Sequence, residues 1–182
     1  MGISEEKSSL RTRYRRERNE RYIDHNFEHL ASLPEFLKAD VIASYMSYGD
    51  EPDTSQLNQQ LINSGKTLVL PRINGVELEW VRWNGSADEL HEKKKIREPK
   101  GEVFKERELI SVIIVPALRI DRSGYRLGQS GGYYDRALPQ LNAWSIGLIH
   151  PDEISSTDLP REPWDVPLHA LATPDLVLRF TS

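Results

Sequence analysis

The run Ser111-Val-Ile-Ile-Val115, closed by Pro116, and the run Asp121-Arg-Ser-Gly-Tyr-Arg-Leu-Gly-Gln-Ser-Gly-Gly-Tyr-Tyr-Asp-Arg136 beyond it together decide the fold. Continuous apolar character over the length of a strand fits the buried centre of a parallel sheet, where both faces are covered, better than an edge. The second run leads into residues 133–141, which read as a helix that Pro139 bends or ends early. A strand that feeds a glycine-rich turn and then a helix is the repeating unit of an α/β sheet. Ligands of such sheets collect at the carboxyl ends of the strands.

Working outward, residues 144–149 and 175–180 supply two later strands, and residues 41–45 and 67–70 supply two earlier ones on either side of a helix at 54–63. Asn74-Gly75 is a hairpin signal ahead of the alternating stretch 77–83, and 85–107 is a polar excursion. Ser4 followed by Glu5 and Glu6 reads as the capped, acidic start of a basic N-terminal helix that runs, with a break, over about 5–33 before Pro34. These elements predict an α/β fold over residues 1–182 as one domain: a mainly parallel, mixed sheet flanked by helices in a Rossmann-like three-layer arrangement.

The composition narrows the chemistry. The chain has no cysteine, which excludes disulfides, thiolate metal sites and a thiol nucleophile. No apolar run approaches the roughly 20 residues that span a bilayer, so no membrane partner and a cytoplasmic location are expected. A net charge of -4 argues against a nucleic-acid binder, although six arginines, Arg11, Arg13, Arg15, Arg16, Arg18 and Arg21, crowd one short segment. A polyanionic small ligand is the more economical partner for them, with an exposed helix face as the plain alternative. His25-Asn-Phe-Glu-His29 matches the pattern of inverted zinc peptidases, but such a site needs a third ligand and a substrate cleft, and at the end of a highly charged N-terminal segment a solvated helical face accounts for it better.

The glycine-rich stretch is the best candidate site. Gly124, Gly128, Gly131 and Gly132 permit positive φ and a close backbone approach, so that amide N–H groups can face phosphate oxygens, while Arg126 adds a bidentate cation. Asp121 and Asp135 flank the loop with the hard oxygens Mg²⁺ requires, although each also reads as a cap or a surface acid. Neither common nucleotide signature is present, and a flexible turn with an Asp135–Arg136 ion pair is the competing reading of the composition.

Over nearly its whole length the chain resembles the 5-formyltetrahydrofolate cyclo-ligase (methenyltetrahydrofolate synthetase) family. The residues that carry the resemblance are Val115-Pro116 through Asp121, Gly124, and Arg126-Leu-Gly-x-x-x-Gly-Tyr-Tyr-Asp135. Lys7-x-x-Leu10-Arg11, Asp50-Glu51-x-x-Thr54, Leu70-Pro71-Arg72, Ile96-x-Glu98-Pro99 and Trp164-Asp165-Val-Pro-Leu168 match in the expected order. The resemblance implies ATP held by Lys7, Ser8, Ser9, Leu10 and Arg11 and by Arg126, Leu127, Gly128, Gln129, Ser130, Gly131, Gly132, Tyr133 and Tyr134. It further implies Mg²⁺ at Asp135 and Asp165, a reduced folate at Met46 and Glu51, and Arg126 as the catalytic cation. A glutamate suits a pterin ring, whose adjacent N–H donors pair with both carboxylate oxygens.

The implied reaction is ATP-dependent closure of 5-formyltetrahydrofolate to 5,10-methenyltetrahydrofolate through a phosphorylated formyl group, by a monomer acting on a folate with or without a polyglutamate tail. The chain departs from the family at Gln129, at Ser130 in place of a glycine, at Trp164, and at Lys94 and Lys95 where an aromatic often stands. A paralogue that binds folate or nucleotide without turnover is one alternative, and a sugar-phosphate isomerase with the same loop is another.

Overall fold

The apolar run at 111–115 lies in the central strand of a seven-stranded sheet, where its two-sided burial requires it to be. The computed structural model describes residues 1–181. From the N-terminus, α1 (Ile3–Arg21) is followed by a 3-10 turn (Glu28–Ser32), α2 (Pro34–Lys38), β1 (Val41–Ala43), α3 (Ser55–Asn63), β2 (Thr67–Asn74) and β3 (Glu77–Trp83). Next come β4 (Leu90–Lys93), β5 (Ile96–Pro99), β6 (Ile110–Pro116), β7 (Arg119–Asp121), β8 (Arg126–Leu127) and α4 (Tyr133–Ala137). Strands β9 (Trp144–Leu148), β10 (Ile154–Ser155), β11 (Ala170–Ala172) and β12 (Val177–Arg179) complete the chain.

The main sheet has the order β12-β11-β9-β6-β1-β2-β3. Its five inner strands pair in parallel, and β12 and β3 are antiparallel edges, so the sheet is mainly parallel and mixed as predicted. Successive side chains of a strand point to opposite faces. Val112 and Ile114 therefore join Phe27, Leu30, Phe36, Leu57 and Leu61 on one face, while Ile113 and Val115 join Trp80, Ala137, Leu138 and Ile149 on the other. This is the predicted three-layer arrangement. Each large apolar side chain so buried contributes roughly 1.5–3 kcal/mol. Among the described residues no helix is long and apolar enough to cross a membrane.

Several local expectations need correction. The N-terminal helix does not reach residue 33: it ends at Arg21, where Tyr22 turns the backbone to ψ 124°. The reason lies in packing, because α1 buries only Arg18, and the chain must change direction to place Phe27 and Leu30 in the core with no exposure. The helix begins at Ile3 rather than after a Ser4 cap, and Glu5 accepts the Gly2 amide at 3.2 Å. His25 and His29 consequently share no helix face, and no group of three metal-ligating side chains occurs among the described residues.

The expected helix over 133–141 is α4 followed by a 3-10 turn at Leu138–Gln140, which places the break at Pro139. The excursion at 85–107 carries the β4–β5 hairpin. A small sheet, β10-β7-β8, fills the space between β6 and the glycine-rich loop. There Asp121 works as a brace rather than a metal ligand: it is fully buried and accepts from the amides of Ser123, Tyr125 and Leu159 and from Arg161.

Candidate active site

A cleft of about 410 Å³ opens at the carboxyl ends of β1 and β6, between α1, the glycine-rich loop and the β4–β5 hairpin. This is where the topology of a parallel sheet gathers functional side chains. Of the residues singled out from sequence, Arg11, Met46, Glu51, Arg126, Gly128, Gln129, Ser130, Gly132, Tyr133, Tyr134 and Asp135 line it. Lys7 and Asp165 form an ion pair beside them, and both are nearly buried. Ser8 and Ser9 are exposed on α1, Leu10 is half-buried, Gly131 is exposed and Leu127 is buried in β8; none of these five lines the cleft.

One wall is built from arginines. The Nε of Arg11 donates to the Gly128 carbonyl at 2.8 Å, Arg15 holds the Gln129 side chain at 2.9 Å and also its carbonyl, and Arg136 holds the Gly131 carbonyl at 2.6 Å. Each of these peptides is trans, so the amide following each held carbonyl points away from that arginine. Arg126 donates to Asp135 at 3.1 Å and lies over the Tyr134 ring, while its buried Nε meets no acceptor of the protein. Burial and the neighbouring Arg15 cation lower the Arg11 pKa, while Asp135 and Asp165 raise it, so these groups share one electrostatic neighbourhood.

The loop between them is strained. Ser130 has φ 132°, a region an L-residue enters at a cost of about 1–3 kcal/mol, as its place in a glycine position implied. Gly131 and Gly132 are also at positive φ, but Gly128, expected to join them, is not.

The opposite wall follows β1. The carbonyl of Tyr45 accepts from Thr54 at 2.6 Å and from Asn58 at 3.1 Å, and Asn58 in turn accepts from Ser44 at 2.6 Å. These buried bonds fix the start of the turn that carries Met46 and Glu51. Glu51 is 7% exposed and accepts the Tyr48 amide at 3.0 Å. Burial raises its carboxyl pKa to about 7, against the lowering effect of that amide and of Arg18.

Behind this wall runs a connection the sequence did not reveal. Arg18 donates from Nε and Nη2 to the two oxygens of Glu153 at 2.8 and 2.7 Å and to the Ala117 carbonyl at 2.7 Å, entirely inside the protein. Glu153 also accepts the His150 amide at 2.8 Å, and the His150 Nε2 meets the Asp50 carbonyl at 2.7 Å. A carbonyl only accepts, so Nε2 carries the proton, and burial keeps this histidine below its ordinary pKa. The chain of contacts ties α1 to the residue preceding Glu51.

Comparison with known proteins matches the chain to a family. Residues 3–174 fit the model of the 5-formyltetrahydrofolate cyclo-ligase family. The chain is 31% identical over 156 residues to the 5-formyltetrahydrofolate cyclo-ligase of Escherichia coli (strain K12), covering 81% of this chain and 85% of that one. It is 32% identical over 146 residues to the enzyme of the same name from Mycolicibacterium smegmatis, covering 73% of each. The solution structure of Aquifex aeolicus 5,10-methenyltetrahydrofolate synthetase superimposes with a TM-score of 0.76 at 31% identity, over 100% of this chain and 94% of that one. The Mycoplasma pneumoniae synthetase, 21% identical, shares the fold with a TM-score of 0.70, over 91% of this chain and 96% of that one.

Proposed function

This chain belongs to the 5-formyltetrahydrofolate cyclo-ligase family, and from that premise we propose that it is the enzyme that converts 5-formyltetrahydrofolate into 5,10-methenyltetrahydrofolate with ATP as co-substrate. The observation that carries the reading is a single cleft with an arginine wall on one side and a buried carboxyl on the other. Its volume suits a ligand of folate size in part and leaves the arginine side for a polyphosphate.

Arg11, Arg126 and Lys7 hold the polyphosphate, and Glu51 with Met46 holds the pterin. The formyl oxygen attacks the γ-phosphorus, the bond to the bridging oxygen breaks, and ADP leaves. The formyl carbon, now bonded to a phosphorylated oxygen, is attacked by the N10 amine; N10 loses its proton and phosphate departs, leaving the methenyl bridge. No protein nucleophile is needed, in agreement with a chain that has no cysteine. The protein positions two ligands and neutralises developing charge, chiefly through Arg126.

Asp135 and Asp165 fit Mg²⁺. Asp135 takes Arg126 on Oδ1, and Asp165 takes Lys7 and the Glu162 amide on Oδ2, so each has one oxygen that accepts no hydrogen bond among the described residues. Two carboxylates suffice for an ion that keeps most of its waters. When bound, the ion would supply positive charge that offsets the charge of the polyphosphate.

Continuous absorbance monitoring of methenyl product formation tests the proposal. A rise that depends on ATP and Mg²⁺ and is lost in Arg126→Ala supports it. A flat trace from folded, ATP-binding protein replaces it with a paralogue that binds without turnover.

A further inference from the structure

We infer that Tyr45 is a substrate-contacting residue, whose hydroxyl donates a hydrogen bond to the ring carbonyl of the pterin seated on Glu51. The inference rests on the functional reading above and adds to it a residue that no motif marks.

Tyr45 lines the cleft at the end of β1 and is 4% exposed. Its ring packs with Phe27, Leu57 and Leu70 in the core on one face of the sheet, and its carbonyl is pinned by Thr54 and Asn58. The backbone and the ring are therefore fixed, and phenylalanine would serve both purposes. The hydroxyl is different: it is buried, and no group of the protein accepts from it.

Leaving such a group unpaired costs about 1–3 kcal/mol. The charged groups nearby hold other bonds, and none of them pairs with the hydroxyl. Arg18 is taken by Glu153 and Ala117, Asp53 by Ser47 and Ser55, and the Oε2 of Glu51 by Tyr48. Burial, then the Glu51 carboxyl and the Tyr134 hydroxyl, hold the Tyr45 proton well above its ordinary pKa, so the group is a donor at every working pH.

The chemistry of the ligand then selects itself. A carboxylate that accepts from two adjacent N–H groups of a pterin faces the ring's amino group and ring N–H, and the carbonyl lies next in the ring. A donor beside Glu51 meets that carbonyl. Together Tyr45 and Glu51 present one donor and one acceptor array to a cyclic amide edge, a pattern that a site built only for packing would lack.

Isothermal titration of 5-formyltetrahydrofolate and, separately, of Mg-ATP into wild-type protein and Tyr45→Phe, with melting curves of both empty proteins, tests this. The expected result is a loss of about tenfold in folate affinity, unchanged Mg-ATP affinity, and a melting temperature of the empty variant that is unchanged or raised by about 2 °C. Unchanged folate affinity overturns the inference and leaves the functional reading standing. A lowered melting temperature with both ligands weakened also overturns it, because the hydroxyl is then structural. Wild-type protein that binds Mg-ATP but no 5-formyltetrahydrofolate overturns the functional reading and this inference together.

Discussion

The two walls of the cleft solve the same electrostatic problem in opposite ways. On the arginine side each cation has at least one partner within the protein, Lys7 with Asp165, Arg126 with Asp135, Arg11 and Arg15 with loop carbonyls, and only the buried Nε of Arg126 meets none. On the β1 side the polar groups are under-used, with one hydrogen bond to Glu51 and none to the Tyr45 hydroxyl. The difference follows from what each group can become. Arginine remains charged throughout the working range and cannot be buried unpaired, whereas a carboxyl can take up a proton and a phenol is already neutral. One wall therefore holds its cations in place before any ligand arrives, with the Arg126 Nε left over, and the other waits for the ligand.

Removing the connection behind both walls should break the comparison most severely. Arg18→Ala leaves Glu153 buried without its partner and is expected to destabilise the protein by about 3–5 kcal/mol, read by denaturant unfolding. Full stability in this variant would mean that α1 and the Glu51 turn are held independently.

Arg126→Ala tests the arginine wall alone. Turnover should fall by about 10²–10³, and the melting temperature should fall as well, because the nearly buried side chain gives up its ion pair to Asp135 and its contact with the Tyr134 ring. Steady-state kinetics beside a melting curve separates the two effects.

Titrating Glu51 tests the β1 wall. Its folded-state pKa, about 7, lies above the ordinary value of 4.5, so its stabilising contribution is complete below about pH 4.5 and is lost as the pH rises through about 7. The stability of the empty protein should fall by roughly 3 kcal/mol across that window, and Glu51→Gln should flatten the slope in melting experiments. A ligand that donates N–H groups favours the ionised form, so folate affinity should rise over the same window.

The smallest effect belongs to the loop that joins the walls. Ser130→Gly relieves the positive φ at that position and should stabilise the protein by about 1 kcal/mol, visible as a melting shift of roughly 2–4 °C.

The loop of the arginine wall was legible from the residues themselves, whereas Met46 and Glu51 of the β1 wall came only through the family resemblance and Tyr45 not at all, for physical reasons. The loop from Arg126 to Asp135 is contiguous, and a glycine-rich turn after a buried strand signals its chemistry locally. Arg18 looks like its five neighbours on α1, and its partner Glu153 lies 135 residues away, so only the folded chain sets it apart. Tyr45 reads as one more core aromatic beside β1, because a hydroxyl without a partner leaves no pattern. A mainly parallel sheet was foreseen, and of its seven strands only β11 was missed: β1 and β12 are as short, but Ala170-Leu-Ala172 has no β-branched residue and lies between proline-rich turns. The helix expected over 5–33 with a break is α1 followed, after the break, by only a 3-10 turn at Glu28–Ser32, because charge patterning gave no sign that Phe27 and Leu30 must enter the core.

The most direct measurement of the central claim is a crystal structure of the protein with 5-formyltetrahydrofolate, Mg²⁺ and a non-hydrolysable ATP analogue. The account predicts the polyphosphate on Arg11 and Arg126, the pterin edge on Glu51, and the formyl group between them, facing the γ-phosphate. Phosphates bound away from Arg126, or a pterin that leaves Glu51 without a ring N–H partner, would contradict it.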